Sequence, residues 1–351
     1  MTEASQPDQS ALERIVEQAI SLARARGATA AEAGVGVSTG LSVTVRLGEV
    51  ETLEYQRDRS LGVTVYAGQR KGSASTANLS PGAVEETVAK ALSIATFTTE
   101  DQYAGLPDAA LMASNLPDLD LCHPWELDAS GAIDLAKRCE AAGLATDQRI
   151  RNSEGASVST HRKLRVFGNS HGFVGGYPST SHSVSCVVLG QDDDDMQRDY
   201  WYTAARDWRA LEDIEEVGRK AARKAVERLG AGKLSTRKAP VLFAPDLARG
   251  LVGHFVGAIG GTAQYRRSSF LLDARGQRVF PEGISLIERP HLRGALGSAP
   301  FDSEGVATRD RELVVHGVLD GYLLDAYSAR KLGLVTTGNA GGVHNLVVQG
   351  H

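Results

Sequence analysis

The sequence predicts an α+β fold, with mixed or antiparallel sheets and flanking helices in its N-terminal part and a β-rich C-terminal domain. Three observations predict it. Amphipathic helical periods alternate with runs whose period is near two. Glycine is abundant, at 38 residues, and scattered along the chain, as turns and bulges between strands require. The order helix, strands, helix occurs twice before a third, strand-rich stretch begins. At roughly 150 residues per domain, 351 residues make two or three domains. The sequence divides them at 1–110, 111–235 and 236–351.

The elements follow in order. Residues 11–26, ALERIVEQAISLARAR, carry Leu12, Ile15, Val16, Ala19, Ile20 and Leu22 at helical spacing, with Gly27 as a stop. AEAGVGVSTG, LSVTVRLGEVETLEYQ and SLGVTVYAGQRKGSASTANLS then read as strands, with turns at Gly48, Gly62 and Gly68. Ser80 and Pro81 start a second helix through AVEETVAKALSIA, Ser80 as N-cap and Pro81 in the first turn. Residues 111–125 read as loop, 128–144 as helix and 149–190 as strands. The acidic run Asp192 to Asp195 lacks metal-loop spacing and reads as a solvated loop tip. The strand MQRDYWYTAARDW and the helix LEDIEEVGRKAARKAVERLG complete the second unit, and AGKLSTRKAP reads as a linker. In the third unit the sequence predicts a strand over PVLFAP, a helix capped by Asp246 and further strands over 265–325.

Composition narrows the function. A net charge of -5 and a pI near 6.0 give no attraction for nucleic acid or anionic membrane. No apolar run reaches the ~18 residues of a membrane span. The N-terminus, MTEASQPDQS, is the opposite of a signal peptide. Cys122, Cys139 and Cys186 form no Cys-x-x-Cys pair, which suits free thiols in a reducing compartment. A cytoplasmic location is expected.

Most of the chemistry lies at 246–260. Leu247, Leu251, Phe255 and Ile259 recur every four residues as an apolar stripe, with His254 at its edge. A zinc peptidase helix needs two imidazoles for the metal and a carboxylate to activate water. Here there is one His and no Asp or Glu between 247 and 260. His254 therefore reads as a packed or hydrogen-bonded histidine, and the chain is expected to bind no cofactor itself.

At this helix the chain resembles the TldD/PmbA family, and specifically its PmbA (TldE)-type branch. The resemblance covers essentially the whole length. It is carried by GEVETLEYQRDRSLGVTVYAGQRKGSAST, NSEGAS, VFGNSHGFVGGYPST, the lead-in at 233–245, GHFVGAIGGTAQYRRSSFLLD, APFDSEGV and YSARKLGLVTTGNAGGVHN. Catalytic TldD members carry His-Glu-x-x-x-His on the equivalent helix, so the resemblance implies a zinc site in a TldD-type partner. Position by position, His254 matches the first His, Phe255 replaces the Glu and Ile259 replaces the second His. Residues five apart on a regular helix lie about 140° from each other, so a working pair needs local unwinding. The family usually continues well past GGVHN, so the third domain is expected to be incomplete, with exposed sheet edges.

The sequence offers further candidates for a substrate or partner cleft. GNSHGFVGGYP reads as a hairpin whose Asn169, Ser170 and His171 line a cleft. Tyr265 and Arg266, with Arg267, suit a peptide carboxylate or acidic groups of a partner, the alternative being an exposed strand. Ser328, Arg330 and Lys331 follow Tyr327, where a Ser-Lys pair is conceivable but lacks its usual setting. His344 and Asn345 close a glycine-rich turn, with channel shaping as the weaker reading. Cys122 and His123 are adjacent, so their side chains diverge and form no dyad.

The expected function is a non-catalytic subunit of a zinc metallopeptidase that encloses small or unfolded peptides, with no nucleic acid or membrane as partner. The resemblance implies bacteriocin-precursor maturation and antitoxin degradation, and makes the family's DNA gyrase label an indirect effect. The alternatives are an autonomous metal-independent hydrolase and a homo-oligomeric peptide-binding scaffold, with homodimers in the absence of the partner.

Overall fold

Helical and two-residue periods sort cleanly in the computed structural model, which describes residues 8–350. Residues 1–7, most of the polar N-terminus, lie outside it. Helix α1 (Gln9–Ala25) starts where the Asp8 carboxylate accepts the Ala11 amide at 2.7 Å and buries Leu12, Val16, Ala19, Ile20 and Ala23. Strands β1 (Ala30–Arg46), β2 (Glu49–Ala67) and β3 (Arg70–Thr76) follow, then α2 (Pro81–Phe97). The motif repeats as α3 (Ala129–Leu144), β4 (Ile150–Asn169), β5 (Val174–Asp192), β6 (Asp195–Ala205) and α4 (Ile214–Glu227).

The two motifs merge into one antiparallel sheet ordered β3-β2-β1-β4-β5-β6. Every buried residue of β1, from Ala31 through Val35 and Leu41 to Val45, is odd-numbered, so one face is covered along its whole length. Helices α1 and α2 cover one half of that face, and α3 and α4 the other. The opposite face pairs hydroxyls where the halves meet: Ser42 with Ser159 at 3.0 Å and Thr44 with Ser157 at 2.9 Å. Glu140 of α3, 1% exposed, fixes the β1–β2 turn by accepting the amides of Leu47 and Gly48, each at 2.8 Å. β3 pairs only with Leu61–Ala67, so residues 49–60 of β2, all exposed, form an edge with no strand on its outer side among the described residues.

The third unit contains α5 (Pro245–Ala258), α6 (Gly261–Tyr265), β7 (Ile284–Glu288), β8 (Arg311–Val315), β9 (Val318–Leu319), α7 (Ala326–Leu332) and β10 (Leu346–Gly350). Its sheet runs β10-β7-β8-β9, all antiparallel, around Phe255, Ile259, Leu286, Leu313 and Leu319. It is joined to the large sheet by Phe301, fully buried 5.1 Å from Phe173 and 5.5 Å from Tyr177.

Several expectations are corrected. Gly62 is no turn; it sits inside β2 opposite Gly34 and Ser75, its small side fitting an extended ladder. The strand expected over PVLFAP does not form. Pro240 and Pro245 donate no amide, Pro245 starts α5, and Val241 and Leu242 stand 70% and 97% exposed. Asp246 is not the cap of α5; Ala244 is, and Asp246 pairs with Lys224 at 2.7 Å. Only β7, β8 and β9 occupy 265–325, because Gly276, Gly294, Gly305 and Gly317 take positive φ and turn the chain. The acidic run does form the β5–β6 hairpin tip, and Gly48 and Gly68 do turn at positive φ.

Candidate functional site

The helix at 245–258 decides what chemistry the chain can perform. Its sequence stripe splits in two. Phe255 and Ile259 are 4% and 0% exposed, with Phe255 edge-on to Phe280 at 5.0 Å. Leu247 and Leu251 remain 65% and 51% exposed. His254 points away from the core and is exposed, with no hydrogen bond from its ring among the described residues, which corrects the expectation of a packed or bonded histidine. The reason is geometric: once Phe255 and Ile259 face inward, position 254 must face outward.

These residues do not fit a zinc ion. One exposed imidazole has no second ligand, and the slots for the carboxylate and the second imidazole are filled by core side chains. Among the described residues, no group of three or more His, Cys, Asp or Glu could hold a metal.

Beside this helix lies a cleft of about 500 Å³. It is lined by Val256, Gly257, Gly260, Leu323, Gly341 and Gly342. The glycines leave backbone at the surface, which suits the approach of an extended chain. Arg266 and Ser328, both expected at a cleft, line it. Tyr265 stands behind, edge-on to Tyr327 at 5.8 Å. The alternative of an exposed strand at 265–267 is overturned, since Tyr265 ends α6 and Arg266 caps it.

The other expected cleft residues are placed elsewhere and bonded inward. Asn169 is 2% exposed; its Nδ2 donates to Met112 Sδ at 3.0 Å and its Oδ1 accepts the His171 amide at 3.1 Å. The His171 ring meets the Pro107 carbonyl at 3.0 Å. Arg330 donates to the carbonyls of Tyr103 at 2.8 Å and Gly105 at 3.0 Å, and also to Leu106. It ties the first unit to α7 and does not face a cleft beside α5. Ser328 donates to the Asp325 carboxylate at 2.5 Å, while the Lys331 ammonium lies 4.2 Å from the Tyr103 ring, so no Ser-Lys pair exists. The His123 ring faces Asp120 and Asp207, consistent with no Cys122 dyad.

His344 belongs to a buried network that sequence reasoning missed. Glu288 Oε1 accepts from the His344 amide at 2.8 Å, lies 3.0 Å from its Nδ1 and takes the Asn339 amide group at 2.7 Å. Arg311 approaches Glu288 at 3.8 Å and donates to Asn339 Oδ1 at 2.7 Å. Burial pushes the Glu288 carboxyl up, but the bonds from His344, with Arg311, more than cancel it and hold it below its ordinary range. Glu304 was missed as well. Burial first, then the nearby acids Asp302, Asp325 and Glu32, push it up to about 7 against one bond from the Ala326 amide. No spacing signal marks either residue, because their hydrogen-bond partners are 22 to 56 positions away.

Three consecutive domain models of PmbA/TldA metallopeptidases match residues 31–95, 122–229 and 236–351. Metalloprotease PmbA of Escherichia coli O157:H7 is 49% identical over 339 residues, covering 97% of this chain and 75% of the relative. A Metalloprotease TldD homolog of Haemophilus influenzae is 22% identical over 302 residues, covering 83% of this chain and 62% of the relative. A crystal structure of a Bacteroides thetaiotaomicron protein described as a candidate modulator of DNA gyrase superposes with a TM-score of 0.91 at 26% identity, covering 97% of this chain and 78% of that one. The named relatives are metalloproteases, which supports a proteolytic role. Among the described residues, no helix is long and apolar enough to cross a membrane. A match along all three units, with close identity to a PmbA over nearly the whole chain, means that this protein belongs to the PmbA/TldD metallopeptidase family.

Proposed function

We propose that this chain is the non-catalytic, PmbA (TldE)-type subunit of a cytoplasmic TldD/PmbA metallopeptidase complex. The observation that carries the reading is the burial of Phe255 and Ile259 in the core of the third unit. A helix committed to that packing presents neither a general base nor a second imidazole. The zinc and the water-activating carboxylate then come from a TldD-type homologue.

The role left to this chain is to bind and enclose the peptide. Two features support it. Among the described residues, the β2 edge at 49–60 has unpaired backbone on its outer side, which suits an extended chain joining by strand addition. The glycine-walled cleft beside α5 brings backbone and the Arg266 guanidinium to one surface. Arg266 suits a carboxylate of the peptide or of the partner. Small or unfolded peptides are the substrates that suit such surfaces, because their backbone is free to pair along its whole length.

Co-purification from native extract tests this reading. The expected partner carries an intact His-Glu-x-x-x-His helix, and chelator-sensitive peptidase activity appears only when both chains are present. Peptide cleavage by the isolated chain that survives chelation would overturn it.

A further inference from the structure

A second cleft, of about 970 Å³, lies at the joint between the first and third units and has no part in the reading above. Small-ligand sites span roughly 300–1,000 Å³. Tyr66 and Lys71 come from the β2–β3 hairpin, Asp101 and Tyr103 from the segment after α2, and Glu304 and Tyr327 from the third unit. The joint is fixed without a ligand: the Tyr327 hydroxyl donates to Asp101 Oδ2 at 2.7 Å, and Arg330 holds the carbonyls that follow.

The charges in the cleft are unevenly satisfied. Lys331 lies 4.2 Å from the Tyr103 ring and 5.4 Å from the Tyr327 ring, and Asp101 is near it. Lys71, on the hairpin rim, is exposed, with the Tyr66 ring 6.0 Å away. Glu304 accepts one hydrogen bond, on Oε2 from the Ala326 amide at 2.9 Å. Its other oxygen has no partner, and no cation pairs with it among the described residues. Three more carboxyls, Glu32, Asp302 and Asp325, add negative potential around it. Lys71 faces the buried Glu32 carboxyl from the rim and is open to solvent on its outer side, so the cleft lacks a positive group at Glu304 and carries one at its mouth.

We propose that this cleft binds a short peptide by its free ends, with the amino-terminal ammonium on Glu304 and the carboxylate toward Lys71. The three tyrosine rings supply apolar surface for the peptide side chains. This inference stands apart from the degenerate helix, so its failure leaves that reading intact.

Isothermal titration of the full chain with alanylalanine tests it. Saturable binding is expected, weakened about tenfold or more by N-acetylation of the peptide and by Glu304→Gln, since each removes a charge-assisted bond. Lys71→Met, at an exposed rim position, is expected to weaken alanylalanine but not its C-terminal amide, and that comparison within one variant separates loss of the carboxylate contact from any effect on Glu32. His254→Ala is expected to bind as the parent does. The ammonium favours ionised Glu304 over the acids that surround it, so binding near pH 7 releases a proton. Affinity then rises to about pH 7.5 and falls once the peptide amine deprotonates near 8. The absence of saturable heat up to ~10 mM peptide, or equal binding of the acetylated form, would overturn the proposal.

Discussion

Glu288 holds His344 through a single oxygen: Oε1 accepts the His344 amide at 2.8 Å and meets its ring Nδ1 at 3.0 Å. Glu288 is 1% exposed, and Arg311 lies at 3.8 Å on its other oxygen. Glu288→Gln leaves the buried Arg311 without its main counter-charge, with Asp320 as the lesser one, and is expected to cost roughly 3 kcal/mol at neutral pH. The sign of the pH dependence follows from a folded carboxyl held below its ordinary value of 4.5. Its contribution is fully present above about pH 4.5 and is lost as pH falls through the lower folded value. Urea unfolding of both proteins should show a gap at neutral pH that closes in acid; a gap that widens in acid would contradict this.

Phe255 has become a core residue in the position where a zinc helix needs its acid. Phe255→Ala is expected to cost about 3–5 kcal/mol, and Phe255→Glu at least as much. Leu247→Ala, on the exposed end of the same stripe, should stay within about 0.5 kcal/mol. Thermal melts of the three variants read this directly. Equal effects at 247 and 255 would mean that the helix packs by another face.

Arg330 fastens α7 to the segment 103–106 through three carbonyls. Lysine cannot reproduce that fork, so Arg330→Lys should loosen the joint despite keeping the charge. Hydrogen exchange should accelerate in residues 99–107 while the large sheet keeps its protection. Unchanged exchange there would show that the joint is held by other contacts.

Gly218 lets α4 lie against α3. A Cβ at this position would fall 2.0 Å from the Cys139 carbonyl oxygen and 2.9 Å from the Gly143 nitrogen. Both are backbone atoms and cannot rotate away. Gly218→Ala should therefore destabilise by about 3 kcal/mol, against the gain normally expected for alanine in a helix. A stabilised variant on chemical denaturation would contradict the close approach.

The helices were legible in the sequence because their apolar periods report one buried face. Residues 128–144 read as helix and form α3 at Ala129–Leu144; residues 11–26 form α1 at Gln9–Ala25. Strand signals were less secure. Gly62 resembles a turn residue but fits a strand where its neighbours are Gly34 and Ser75. Val241 to Phe243 look like a strand, yet no described strand pairs with them. At the candidate site, the lost zinc ligands were visible in a single helical turn, because helix neighbours are also sequence neighbours. The direction of His254 was not, since it depends on the core of the third unit claiming Phe255 and Ile259. Glu304 and Lys71 were invisible as a pair because they lie on different units and meet only across the folded joint.

Zinc content of the purified chain, before and after incubation with zinc and removal of free metal, tests the central claim most directly. Far less than one zinc per chain is expected, and the same value for His254→Ala. One zinc per chain that disappears in His254→Ala would contradict it.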